Sequence, residues 1–204
     1  MILCVTEAAA YSEQSLSRLC SALPPARRSY AERAKHPEMR RARILSYALL
    51  SHAARLARAD CQLGDFLIGE RGKPRLPDPL LTFSISHTES GVAVAVADNG
   101  TELGLDLEAV RPLRPALLKS FATEDELSLI ANAEDPESAA ILLWTQKEAE
   151  AKRTGYGIAQ DMRELRVQSS ASAWIMLGGV RHALTLTPCT TLPPIRRITP
   201  SELL

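Results

Sequence analysis

Residues 81–98, LTFSISHTESGVAVAVAD, constrain the fold of this chain more than any other stretch. LTFSISH and GVAVAVAD alternate or run apolar in β-forming residues around a short polar turn, which predicts a hairpin. Ahead of them, Met39 to Ala59 carries Leu45, Leu49, His52 and Leu56 at spacings of three and four, the pattern of an amphipathic helix. Arg40, Arg41 and Arg43 open that helix, where cations oppose the helix dipole. They are either a solvated basic face or residues kept for another purpose. Between helix and hairpin, Gly69–Pro79 reads as a turn-rich loop. After the hairpin come a strand in TELGLDLEAV, the basic and apolar stretch VRPLRPALLKSF, and helices over Thr123–Asn132 and Ser138–Arg153, the second ended by Gly155 and Gly157. MILCV, ELRVQSS, AWIML and RHALTLT read as further strands, while the Pro-rich tail from Pro188 receives no assignment. Helix and strands recur in both halves, so the expectation is an α+β chain of two related lobes meeting near residue 100.

At 204 residues and 46% hydrophobic, the chain can bury a real core. Lys plus Arg balance Asp plus Glu at 24 each, which argues against bulk attraction to nucleic acid or anionic membrane. Cys4, Cys20, Cys61 and Cys189 are scattered, giving neither a zinc signature nor a dense disulfide framework. The opening MILCVTEAAA has no basic region leading into a sustained apolar run, and no stretch approaches membrane-spanning length. A soluble cytoplasmic protein is expected.

Asp106 and Glu108, in LGLDLEAV, pose a physical question. Strand residues two apart share a face, and two carboxylates held that way repel and raise each other's pKa unless a cation lies between them. Trp144, Glu148 and Lys152 fall at i, i+4 and i+8, on one stripe of the later helix. Glu148 and Lys152 read as a surface ion pair or as side chains presented to a cleft. Ser84, Ser86 and His87 end a strand, but no Gly-x-Ser-x-Gly elbow supports a hydrolase. Neither a Walker loop nor a dinucleotide-binding glycine fingerprint is present.

In order, the chain reads GKP (72–74), FSISH (83–87), GLDLE (104–108) and WTQKEAEAKRTGYG (144–157). This series resembles the 4′-phosphopantetheinyl transferases of the surfactin-synthetase-activating type, and looks most like their short enterobacterial holo-acyl-carrier-protein synthase branch. The resemblance spans about residues 40–157. It implies an α+β fold of two similar lobes related by an approximate twofold, 1–100 and 101–204, working as a monomer. It implies transfer of phosphopantetheine from coenzyme A to a serine of an apo acyl or peptidyl carrier protein, with release of adenosine 3′,5′-bisphosphate. By the same resemblance Asp106, Glu108 and Glu148 would ligate one Mg²⁺, with Mn²⁺ as the alternative, a hard cation suited to carboxylate and phosphate oxygens.

The resemblance also assigns ligand contacts. His87, with Ser86 beside it, would meet coenzyme A at its 3′-phosphate. Arg43 would be a second 3′-phosphate ligand, with Arg41 and Arg28 as alternatives. Lys73 and Pro74 would border the adenine, and Lys152 would reach the pyrophosphate. Glu148 is the candidate base for the carrier serine, directly or through water. Lys147 falls in the motif without an assigned role. Arg111, Arg114 and Lys119, beside Leu117, Leu118 and Phe121, would dock an acidic carrier, unless those leucines simply pack inward. Thr88 departs from the serine common after the histidine, and the N-terminal region lacks a lysine pair. The rival readings are a metal-dependent nucleotidyltransferase and a non-catalytic carrier-binding relative.

Overall fold

The computed structural model describes residues 1–58, 61, 63–64, 66–69, 72–155, 161–167 and 169–204. Gly157, expected to help end a helix, lies outside them.

The hairpin is formed by β4 (Thr82–His87) and β5 (Gly91–Ala97), antiparallel from Thr82↔Ala97 to His87↔Val92. Strand β1 (Ile2–Glu7) pairs antiparallel with the other edge of β5, and β9 (Ile195–Arg197) adds parallel to β1. The last strand therefore joins the first sheet, whose order is β4-β5-β1-β9. A second sheet has the order β6-β8-β7, from β6 (Gly104–Ala109), β7 (Ala171–Leu177) and β8 (Val180–Thr187), and the short strands β2 (Leu67–Ile68) and β3 (Pro74–Arg75) pair antiparallel apart from both. Gly178 and Gly179 turn β7 into β8 at φ of +57° and +77°, a region that disfavours side chains.

Every residue of β5 is buried, and its alternation explains how. Val92, Val94 and Val96 enter one core with Leu45, Leu49 and Leu50 of helix α3 (Pro37–Ala57). Ala93, Ala95 and Ala97 enter a second core with Leu105 and Leu107 of β6 and Leu184 and Leu186 of β8. Bulky residues thus face the helix, while small ones let the two sheets approach closely. Helix α6 (Pro136–Thr154) covers the outer face of the second sheet, as α3 covers the first. The fold is α+β, with two lobes repeating one plan.

Local chemistry sets the helix ends. Asp135 caps α6 by accepting from Ser138 N at 3.0 Å, Pro136 fills its first position, and Gly155 ends it at φ +74°. Helix α5 (Glu124–Ala131) opens with a reciprocal Thr123–Glu126 capping box. Helices α1 (Glu13–Ala22), α2 (Pro25–Glu32) and α7 (Pro200–Leu203) were not expected. In α3 the buried face runs through Ala42, Leu45, Leu49 and Ala53, whereas Leu56 is exposed and His52 half-buried. The strand expected in ELRVQSS is absent among its described residues. There Asp161 accepts from Arg163 N in a local turn, and Leu165 packs with Phe121 instead of pairing in a sheet.

Candidate active site between the lobes

The edge strands β4 and β6 meet where the two sheets adjoin, joined by side chains. Ser84 Oγ accepts from Leu105 N at 2.9 Å, and Ser86 Oγ donates to Asp106 Oδ1 at 2.9 Å. Because β6 alternates, Leu105 and Leu107 fill the inter-sheet core while Asp106 and Glu108 turn toward α6. Gly104 shares their face. A Cβ there would overlap Ala149 O and lie 2.7 Å from Arg153 N, so α6 rests directly on this glycine.

Helix α6 completes the cluster. Lys152 Nζ donates to Asp106 Oδ1 at 2.6 Å and to Ser86 Oγ at 3.0 Å. Its ion pair is therefore with the strand carboxylate, not with Glu148 one turn away. Trp144 Nε1 donates to Glu108 Oε1 at 3.2 Å, and its ring meets Phe121 edge-on with centroids 4.9 Å apart. Burial pushes the Glu148 carboxyl above its ordinary range, and the charges of Asp106 and Glu108 add to that. Glu108 is raised for the same reasons, burial first and Asp106 second, partly offset by the Trp144 hydrogen bond. Asp106 is buried, and its Oδ2 has no hydrogen-bond partner.

That set fits a hard cation in its chemistry. Burial first and the charge of Asp106 second raise both Glu108 and Glu148, and one buried Asp106 oxygen lacks a hydrogen-bond partner. As they stand, no three acidic, His or Cys residues among the described ones are grouped as a metal site, and the Lys152 ammonium lies on Asp106 Oδ1.

A cleft of about 300 Å³ opens beside Lys152, lined by Phe66, Lys73, Pro74, Phe83 and Ile85 from the first half and Ala151, Lys152 and Gly155 from the second. Its walls are largely apolar and aromatic, suited to a flat ring. Lys73 lines it, but its ammonium is spent elsewhere, donating to Glu102 Oε2 at 2.7 Å and to the carbonyls of Leu103 and Arg153 at 3.0 Å. It ties the loop to the end of α6.

At the other side, His87 stands at the exposed end of β4. Crowding by the protein lowers its pKa, and the charges of Lys152 and Arg43 lower it further. Arg43 thus belongs to this neighbourhood. Its guanidinium donates to Tyr30 O at 2.6 Å and lies over the Tyr30 ring, while its buried Nε has no hydrogen-bond partner. Arg41 is paired with Glu13 at 3.0 Å, and Arg28 donates to the carbonyls of Ser21 and Leu23. Of the three arginines, Arg43 is the one whose charge registers at His87. Thr88, next in the chain, meets the buried His182 at 3.1 Å. Since His182 Nδ1 faces Val180 O at 2.8 Å, the neutral ring donates there and Nε2 accepts from the Thr88 hydroxyl.

Helix α4 (Pro115–Phe121) leaves Arg111, Arg114 and Lys119 exposed on and before it, with Leu117 and Leu118 half-buried. Phe121 is fully buried, so it contributes packing and is not available to a docking surface.

Fold and site together define a two-lobed α+β protein whose inter-lobe cleft joins an acidic cluster to cations at either side, the layout of a phosphate-ester-handling enzyme. The family model of the 4′-phosphopantetheinyl transferase superfamily matches residues 102–183, the stretch holding β6 and all of α6. The chain is 29% identical over 164 residues to the 4′-phosphopantetheinyl transferase Sfp of Bacillus subtilis (strain 168), covering 77% of this chain and 71% of that protein. It is 28% identical over 185 residues to the 4′-phosphopantetheinyl transferase ffp of Bacillus subtilis, covering 87% and 79%. Identity reaches 32% over 124 residues with the 4′-phosphopantetheinyl transferase HetI of Nostoc sp. (strain PCC 7120 / SAG 25.82 / UTEX 2576), covering 52% of each chain. Over most of its length the chain is thus similar to 4′-phosphopantetheinyl transferases, and the superfamily's model matches the part that carries the acidic residues of β6 and α6. Among the described residues no helix is long and apolar enough to cross a membrane.

Proposed function

We propose that this protein transfers the 4′-phosphopantetheine group of coenzyme A to a serine of an apo acyl or peptidyl carrier protein, as a holo-carrier synthase of the surfactin-synthetase-activating type. The observation that carries this is the seam itself. An unpartnered Asp106 oxygen and Lys152, with Glu108 and Glu148 close enough to sense the Asp106 charge, lie beside an apolar cleft, and His87 senses the charges of Lys152 and Arg43. Coenzyme A has matching parts: a pyrophosphate, an adenine and a 3′-phosphate. In this reading Pro74 and the cleft take the adenine, with Lys73 bracing the loop. His87 and Arg43 take the 3′-phosphate, and Lys152 neutralises the pyrophosphate.

Asp106, Glu108 and Glu148 would hold one Mg²⁺ or Mn²⁺, which supplies charge neutralisation to the pyrophosphate when bound. The carrier serine Oγ attacks the phosphorus that bears the pantetheine. A new Ser O–P bond forms, the pyrophosphate P–O bond breaks, and its electron pair leaves with adenosine 3′,5′-bisphosphate. The serine proton passes to Glu148, directly or through water. Lys152 offsets charge growing on the leaving bisphosphate. Arg111, Arg114 and Lys119, with Leu117 and Leu118, form the face for an acidic carrier. The protein acts as a cytoplasmic monomer, with lobes divided near residue 100 except that β9 returns to the first sheet.

The test mixes apo carrier protein, coenzyme A and Mg²⁺ and weighs the intact carrier. A gain of the phosphopantetheine arm supports the proposal. Adenylylation would instead support a nucleotidyltransferase, and a bound but unaltered carrier a non-catalytic relative.

A further inference from the structure

We propose that Lys147 is a positioning residue: its buried ammonium locks the carrier-facing helix α4 to the helix that bears Glu148. This deepens the reading above and rests on it. Lys147 is 1% exposed, yet it carries a cation into the cluster around Phe121. A buried ammonium is costly unless its three N–H groups find acceptors. Here it has three, each from a different segment. Phe121 O, at the end of α4, lies at 2.7 Å; Glu126 Oε2, in the first turn of α5, at 2.8 Å; and Arg163 O at 3.4 Å.

An apolar side chain of similar length would fill the same volume without the desolvation cost, so stability alone does not call for lysine here. What lysine adds is a fixed relation between parts. Glu126 Oε2 also accepts from Thr123 N in the capping box, so the same carboxylate sets the start of α5 and grips Lys147. Phe121 is held twice, by its carbonyl on Lys147 and by its ring on Trp144. Trp144 in turn donates to Glu108. The last residue of α4 is therefore pinned to the turn of α6 that leads into Glu148, and through Trp144 to the acidic cluster. None of the three Lys147 partners lines the inter-lobe cleft. Loosening this junction should misplace an incoming serine while leaving coenzyme A binding intact.

The experiment compares wild-type protein with Lys147→Met and Glu126→Gln. It measures hydrogen exchange of residues 115–127, coenzyme A affinity by calorimetry without carrier, and transfer kinetics with carrier varied. Exchange in that segment should rise about tenfold in Lys147→Met. The carrier KM should also rise about tenfold, with coenzyme A affinity held within about twofold. Glu126→Gln should move the same quantities in the same direction by less. If Lys147→Met does not fold, Glu126→Gln decides alone, since its site is partly solvent-facing. Unchanged exchange, a loss confined to coenzyme A affinity, or faster exchange with an unchanged carrier KM each overturns the assignment. Should wild-type protein load no carrier, the transferase reading fails, while exchange still judges whether Lys147 locks α4.

Discussion

Gly104→Ala tests the geometry of the site with the smallest possible perturbation. One methyl group would overlap the Ala149 carbonyl oxygen and lie 2.7 Å from Arg153 N, against 3.4 Å for ordinary contact. Restoring the second contact alone makes α6 recede by about 0.7 Å, and the carbonyl overlap demands more. The obstruction is backbone, which cannot step aside as a side-chain tip can. Overpacking of this kind costs about 1–3 kcal/mol. Lys152 and Trp144 ride on α6, and their bonds to Asp106 and Glu108 are 2.6 and 3.2 Å long, so a retreat of more than about 1 Å breaks both. Misplacement on that scale costs about 10²-fold in rate. Circular dichroism should report a folded protein of lowered melting temperature, and carrier loading should fall about 100-fold. Wild-type melting and wild-type turnover in this variant would refute the packing of α6 on β6 described here.

Three further outcomes follow from the same site. Glu148→Gln should weaken binding of the metal and lose carrier loading by about 10²–10⁴-fold even at saturating metal and coenzyme A, the span of general base catalysis; full turnover with normal ligand binding would remove Glu148 as the base. Reversing Arg111 and Arg114 to Glu should raise the KM for an acidic carrier while leaving that for coenzyme A alone, and equal damage to both would count against docking there. Burial holds His182 below its ordinary pKa. The unfolded chain therefore takes up a proton near pH 6.5 that the folded state resists, and stability falls as pH drops from there through the folded value. His52 and His87 are lowered too, so His182→Gln should flatten, not abolish, the decline in melting temperature between pH 7 and 5; an unchanged slope would contradict this.

Much of this was legible residue by residue, and the losses have physical causes. The β4–β5 hairpin followed from its alternation, and α6 from its apolar pattern and terminal glycine. The valine–alanine alternation in β5 also encoded two-sided burial, since side-chain size alternates where polarity does not. By contrast, α1 buries only Leu16, Leu19 and Cys20, and α2 only Ala31, too little apolar periodicity to stand out. ELRVQSS misled because Leu165 is buried in a helical cluster, where a strand would need a partner edge. Asp106 and Glu108 could be placed on one face from spacing alone, but the Lys152 ammonium that occupies Asp106 comes from 46 residues away. Gly104 was readable in principle, since glycine inside a strand marks a close backbone approach. Lys73 sat in a recognisable motif, yet no local rule says that its ammonium braces the end of α6.

In the proposed reaction, coenzyme A and one divalent ion share the seam between the lobes. Anomalous diffraction from crystals grown with Mn²⁺ and coenzyme A tests it most directly. One manganese peak is expected in contact with oxygens of Asp106, Glu108 and Glu148 and with the pyrophosphate, with an adenine lying in the cleft beside Pro74. A peak bound elsewhere, with those three carboxylates aimed apart and the adenine outside the cleft, would contradict it.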